Sequence, residues 1–78
     1  MSINNRSTIY FSKYAEKKFE LLNRHKVYFT HELIEDCLSS PEEVGKLADY
    51  FTARKEGVKV VYKKEVGVII VLTFYPVK

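Results

Sequence analysis

Five residues of the C-terminal half combine types that can act on a phosphate: Arg54, Lys59 and Lys63, with Tyr50 and Tyr75 close by in the chain. A guanidinium or an ammonium stabilises negative charge developing on a phosphoryl oxygen, and a phenol or an amine moves a proton once its pKa is lowered. Cations interleaved with aromatic rings also suit a single-stranded nucleic acid, whose backbone is anionic and whose unstacked bases offer flat faces. Arg54, Lys59 and Tyr75 are the candidates for catalysis, and Lys63 and Tyr50 for holding RNA. Tyr14 and Lys18 stand four residues apart on a helical pattern, so they share one flank and can form a small polar pocket that adds to the binding set. No metal or cofactor is expected. One cysteine, Cys37, and two histidines, His25 and His31, give no ligand spacing, and Cys37 falls in an apolar stripe where it reads as a small core residue.

These side chains share a surface only if the strands under them are in a particular register. Residues 66–75 form the longest apolar run, β-branched and aromatic, stopped by Pro76, and read as an interior strand. The facing strand, Val58–Lys63, alternates at period two. A turn over Lys63–Gly67, with Gly67 in a left-handed bulge position, sets Val58, Val60 and Tyr62 on one face with Val68, Ile70, Leu72 and Phe74. The other face then holds Lys59, Val61, Lys63, Ile69, Val71, Thr73 and Tyr75. A preceding strand, Tyr50–Lys55, turns at Glu56-Gly57, which pairs Lys55 with Val58, Ala53 with Val60 and Phe51 with Tyr62. Tyr50, Thr52 and Arg54 thereby join the cationic face.

Upstream, residues 7–11 read as a first strand and Ser12 as the cap of a helix over Lys13–Arg24, with Ala15, Phe19 and Leu22 as its apolar stripe. Thr30 caps a second helix over His31–Ser39, with Leu33, Ile34, Cys37 and Leu38 inward and Glu32, Glu35 and Asp36 outward; Pro41 stops it. Residues 42–47 give no clear signal beyond a short strand around Val44 and a turn at Gly45. Two helices suffice to cover one side of a sheet. The expected fold is therefore α+β, β-α-α-β-β-β, with both helices on one face of a mainly antiparallel four-stranded sheet and the cationic face open.

Seventy-eight residues form one expected domain, 1–78, with residues 1–6 a polar, disordered lead-in. Apolar residues make up 46% of the chain, but no run reaches the roughly 20 that a membrane helix needs, and the N-terminus lacks a secretory pattern. With a single thiol, the expected compartment is the reducing cytoplasm. A formal charge of +3 permits an anionic partner without requiring one.

Ser12-Lys-Tyr-Ala-Glu-Lys-Lys18, Arg24-His25, the capped helix ending in Ser-Ser-Pro41, Val58-Lys-Val-Val-Tyr62 and Val71-Leu-Thr-Phe-Tyr-Pro76 together resemble a small prokaryotic domain family of unknown function allied with BrnT-like and RelE-like toxins. The resemblance runs over nearly the whole chain. It implies a RelE-like fold and, in the toxin branch, an RNA-cleaving surface on the exposed sheet face and an antitoxin protein as partner. Where the family's first helix has a histidine and an arginine four apart, this chain has Tyr14 and Lys18. Two functions follow: an RNA-binding or metal-independent RNA-cleaving protein of toxin type, or a non-catalytic module that pairs with a protein, a second copy included, through the exposed face.

Overall fold

A computed structural model describes residues 8–77; the expected disorder of residues 1–6 lies outside them. The elements run β1 (Thr8–Phe11), α1 (Lys13–Arg24), α2 (His31–Ser39), β2 (Glu43–Leu47), β3 (Tyr50–Lys55), β4 (Val58–Glu65) and β5 (Val68–Pro76). They form one five-stranded sheet in the order β1-β5-β4-β3-β2. Neighbours are antiparallel except β1, which lies parallel to β5. The sheet is thus mixed and has five strands, not four. The additional strand is β2, the segment that carried no clear signal: all five of its residues are exposed, so it has no buried face to write a pattern into the sequence.

Both helices start where their caps put them. The Ser12 hydroxyl accepts from the Ala15 amide at 3.1 Å, and that of Thr30 accepts from Leu33 at the same distance. α1 ends with Lys26 at φ 62°, the Lys26 amide donating to the Asn23 carbonyl and the Val27 amide to that of Leu22. This is a Schellman ending with lysine in the position glycine usually takes. α1 lies over β5 and β1, and α2 over β4 and β3. Their inner sides, Ala15, Ile34 and Cys37, close on Ala53, Val58, Val60, Val71 and Phe74 to make the buried core. Phe74 is its hub, with ring centroids 4.5 Å from Phe19 and 5.9 Å from Phe29. His31 joins the helices, stacking on Phe19 at 4.2 Å and meeting the Glu16 carboxylate at 2.9 Å.

The β3–β4 pairing is the expected one, with Phe51 opposite Tyr62, Ala53 opposite Val60 and Lys55 opposite Val58. Glu56 and Gly57, at φ 49° and 84°, make the tight turn. The β4–β5 hairpin differs from expectation in two respects. Its turn is the two residues Val66-Gly67, since Glu65 pairs with Val68, and the strand expected to stop at Lys63 continues to Glu65. The bulge sits in mid-strand instead: Tyr62 faces Val71 and Val61 faces Thr73, so Leu72 is the extra residue. The two differences act oppositely on the alternation. Thr73, Phe74 and Tyr75 lie on the expected sides, whereas Ile69 and Val71 turn toward the helices and Val68 and Ile70 to the open side, the reverse of the expected partition.

The chain upstream explains the bulge. β1 pairs with β5 only as far as Phe11 opposite Val71, and Ser12 then leaves the sheet to start α1. The Ser12 amide donates to the Val71 carbonyl at 3.0 Å and its hydroxyl to the Leu72 carbonyl at 3.1 Å. One serine thus caps a helix and takes up a carbonyl at the bulge, satisfying polar groups on two elements at once.

Candidate nucleic-acid interface

The face away from the helices is ordered by register into rows across the strands. One row runs Glu43, Arg54, Lys59, Tyr75, each the direct partner of the next on β2, β3, β4 and β5. Paired residues project to the same side with Cβ atoms about 5 Å apart. The three candidates for catalysis are therefore consecutive neighbours on one face. The next row, Gly45, Thr52, Val61 and Thr73, is of short side chains. Gly45 has a reason to be glycine: a Cβ there would stand 2.9 Å from the Thr52 hydroxyl. Beyond it come Leu47 and Tyr50, then Lys63, Ile70 and Tyr10.

Rows of long side chains thus flank a floor of short ones. At about 3.3 Å per residue the two walls stand roughly 13 Å apart, room for a single polynucleotide strand. Thr52 is buried in the floor, and the Thr73 hydroxyl is out of solvent contact with no hydrogen-bond partner. The walls are wet, with Tyr10, Tyr50 and Tyr75 all exposed.

Charge is distributed unevenly along the face. Arg54 reaches Glu43 at 3.4 Å, and Lys63 reaches Glu65 at 3.4 Å. Both carboxylates stand at the periphery, one on the edge strand and one beside the β4–β5 turn. Lys59, on the central strand, has no carboxylate within pairing distance among the described residues. Groups with displaced pKa lie on the other side of the sheet. Burial pushes the Cys37 thiol up to about 11 and raises the Tyr62 phenol, and the hydrogen bond to Asp36, 2.8 Å away, raises Lys55.

Of the residues expected from the sequence to hold RNA, Lys63 and Tyr50 share this face with the row. Tyr14 and Lys18 do not. They lie on the outer flank of α1, in the helix layer across the sheet, with the Lys18 ammonium 5.7 Å from the Tyr14 ring centroid. The sequence reading missed Tyr10 and Glu43, because β1–β5 pairing is parallel and non-local and β2 carried no clear signal. His31, for which the sequence offers no ligand spacing, meets the carboxylate of Glu16 on the other helix. Among the described residues no three His, Cys, Asp or Glu side chains gather as a metal site requires, and no helix is long and apolar enough to cross a membrane.

No family model matches the sequence, and no curated protein does. Among solved structures, a chain of the toxin-antitoxin complex RelBE2 from Mycobacterium tuberculosis superposes with a TM-score of 0.57, covering 92% of this chain and 99% of that one at 18% identity. That identity makes the likeness one of fold. The fold that superposes is, in this chain, two helices on one side of a mixed five-stranded sheet.

Proposed function

We propose that this protein is a RelE-like, toxin-type domain that binds single-stranded RNA in the shallow trough of its open sheet face. The observation that carries the reading is the row Arg54–Lys59–Tyr75, fixed by two antiparallel registers on the face away from α1 and α2. Lys59 meets the backbone at the middle of the trough. Arg54 and Lys63 engage phosphates by exchanging their carboxylates for them, and Tyr10, Tyr50 and Tyr75 offer rings for base stacking. The resemblance to a chain of a toxin–antitoxin complex supports the toxin type and a protein partner of the antitoxin kind.

The same row can support metal-independent cleavage. In that chemistry the ribose 2′-oxygen passes its proton to a water molecule of the solvent-filled trough, attacks the adjacent phosphorus and breaks the bond to the 5′-oxygen, which takes up a proton as it leaves. Arg54 and Lys59 would stabilise the extra charge on the phosphoryl oxygens, and the Tyr75 phenol would supply the departing oxygen's proton.

The test is RNA binding at several salt concentrations, followed by cleavage of free and ribosome-associated RNA. Neutralising three phosphates gives a log–log slope of about −2, a loss of roughly twenty-fold between 50 and 200 mM salt. Replacing Arg54, Lys59 and Lys63 by Ala should flatten that slope and abolish binding. Salt-independent binding, or no loss in the triple variant, refutes the RNA reading. Turnover that falls with Arg54→Ala and Tyr75→Phe establishes catalysis, and binding without turnover makes the protein a binder. One observation favours a second reading, a protein-pairing module: Val61, Val68, Ile70 and Leu47 interrupt the cations on the same face. Light scattering at high concentration tests self-pairing through it, since a strictly monomeric protein excludes the homodimer.

A further inference from the structure

The flank of α1 carries a surface that the open sheet face does not account for. Ala15, Phe19 and Leu22 turn toward the sheet. Tyr14, Lys17, Lys18, Glu20, Leu21 and Arg24 instead line a groove of about 340 Å³ along the outside of the helix. Tyr14 is 63% exposed and Leu21 49%. Seven residues are two helical turns, so these apolar groups sit one above the other. Single exposed apolar side chains are ordinary, but two in line in one groove have the spacing with which a helix receives another helix.

The rim carries a net positive charge, with Lys17, Lys18 and Arg24 set against Glu20. Glu16 turns to His31 on α2 at 2.9 Å, and Glu20 reaches along the helix to Arg24 at 3.8 Å. Among the described residues Lys17 and Lys18 have no carboxylate partner, and the Lys18 ammonium rests by the Tyr14 ring. We infer that this flank docks an acidic amphipathic helix of a protein partner, apolar side chains over Tyr14 and Leu21 and carboxylates against Lys17 and Lys18. From Tyr14 to Arg24 the groove runs about 15 Å, the length of roughly three turns of a partner helix. RNA fits less well: Tyr14 is the one aromatic ring lining this groove, whereas the trough across the sheet offers Tyr10, Tyr50 and Tyr75. Tyr14 and Lys18 therefore belong with a protein contact and not with the trough across the sheet. The inference rests on the proposed protein partner and not on RNA binding.

The full chain is titrated, with fluorescence anisotropy as readout, against a synthetic helix of three to four turns bearing leucines on one face and glutamates beside them. A scrambled peptide of identical composition serves as comparison, and a single-stranded RNA oligonucleotide is titrated in parallel. The amphipathic peptide should bind saturably and about tenfold tighter than the scrambled one, and Leu21→Asp or the pair Lys17→Glu and Lys18→Glu should each weaken it by about tenfold. The charge pair lies at the surface and covers the case in which Leu21→Asp loosens the helix. RNA binding should fail in Lys59→Ala and persist in the α1 variants. Equal affinity for the two peptides, or indifference to both α1 changes, overturns the inference. Loss of RNA affinity in the α1 variants overturns it too, by making the flank a nucleic-acid surface. Failure of the RNA arm alone refutes the trough and leaves the docking flank standing.

Discussion

The same strands present two unlike faces. On the covered side Ala53, Val58, Val60, Val71 and Phe74 are buried under the helices, whereas on the open side Thr52 is the buried residue, Arg54, Lys59 and Lys63 are half-buried and Tyr10, Tyr50 and Tyr75 are exposed. Adjacent residues of one strand thus do different work. Phe74 anchors the core, and Tyr75 projects into the row with Lys59. Since covered-side contacts exclude water and the long side chains of the open side reach it, stability should follow the first set and binding the second. The comparison makes the two faces separable by mutation.

The largest effect should come from that adjacent pair. Removing the hub ring in Phe74→Ala costs about 3–5 kcal/mol. That is comparable with the whole stability, of about 3–5 kcal/mol, that a single core of this size supplies, so the chain should be largely unfolded. Tyr75→Ala, one residue on, should cost under about 1 kcal/mol. Urea titration followed by circular dichroism checks both; similar midpoints for the two variants would break the division of labour between the faces.

Ser12→Ala comes next and tests how the covered face is kept in phase. It removes a helix cap and the donor to the Leu72 carbonyl together. The cap alone is worth about 1 kcal/mol and the second hydrogen bond about as much. Hydrogen exchange should accelerate at the start of α1 and around residues 71–73 in one variant. Acceleration confined to the helix would mean the bulge holds without the serine.

Cys37 sharpens the comparison through pH, because only a buried thiol resists ionisation. Its pKa stands near 11 in the folded chain against an ordinary 9.0, desolvation being the main cause. Above pH 9 the unfolded chain gives up this proton and the folded chain does not, so the unfolded state binds fewer protons and stability falls until about pH 11. Lys55 and Tyr62, also raised, change stability in the same direction at alkaline pH. At pH 8, Cys37→Ala should cost on the order of 1 kcal/mol for the lost packing. Melting of both proteins from pH 8 to 11 should show the wild-type advantage shrinking as pH rises; a constant gap would mean the thiol is wet.

What the sequence made legible divides along the line between local and distant causes. The helices and the β3–β4 register rest on chemistry within a few residues: a serine or threonine at each cap, a Glu-Gly pair at φ values that suit a tight turn. Because that register was local, Arg54 and Lys59 could be set side by side from the sequence. Tyr75 joined them after two errors offset each other, a turn read too long and a bulge at Leu72 not foreseen. The bulge is hydrogen-bonded by Ser12, sixty residues away, and no pattern inside the strand announces it. β2 was barely legible because pairing to β3 is all that defines it, and Glu43 entered the row with it.

Glu43 supplies the smallest and most discriminating change. Its ion pair with Arg54 is 3.4 Å long, with side chains 69% and 41% exposed, so Glu43→Gln should alter stability by less than about 0.5 kcal/mol. Its effect on RNA should be out of proportion to that. A phosphate entering the row must take the Glu43 carboxylate's place at the guanidinium, and removing the competing charge lowers that cost, so affinity should rise by a few-fold at low salt and by less at high salt, where the pair is screened. Anisotropy titrations at two ionic strengths read the change directly. A gain in binding without a gain in stability is what an open face built for an anion requires. Unchanged or weaker binding would mean that the Glu43–Arg54 pair shapes the sheet edge and that the phosphate, if one binds, sits elsewhere.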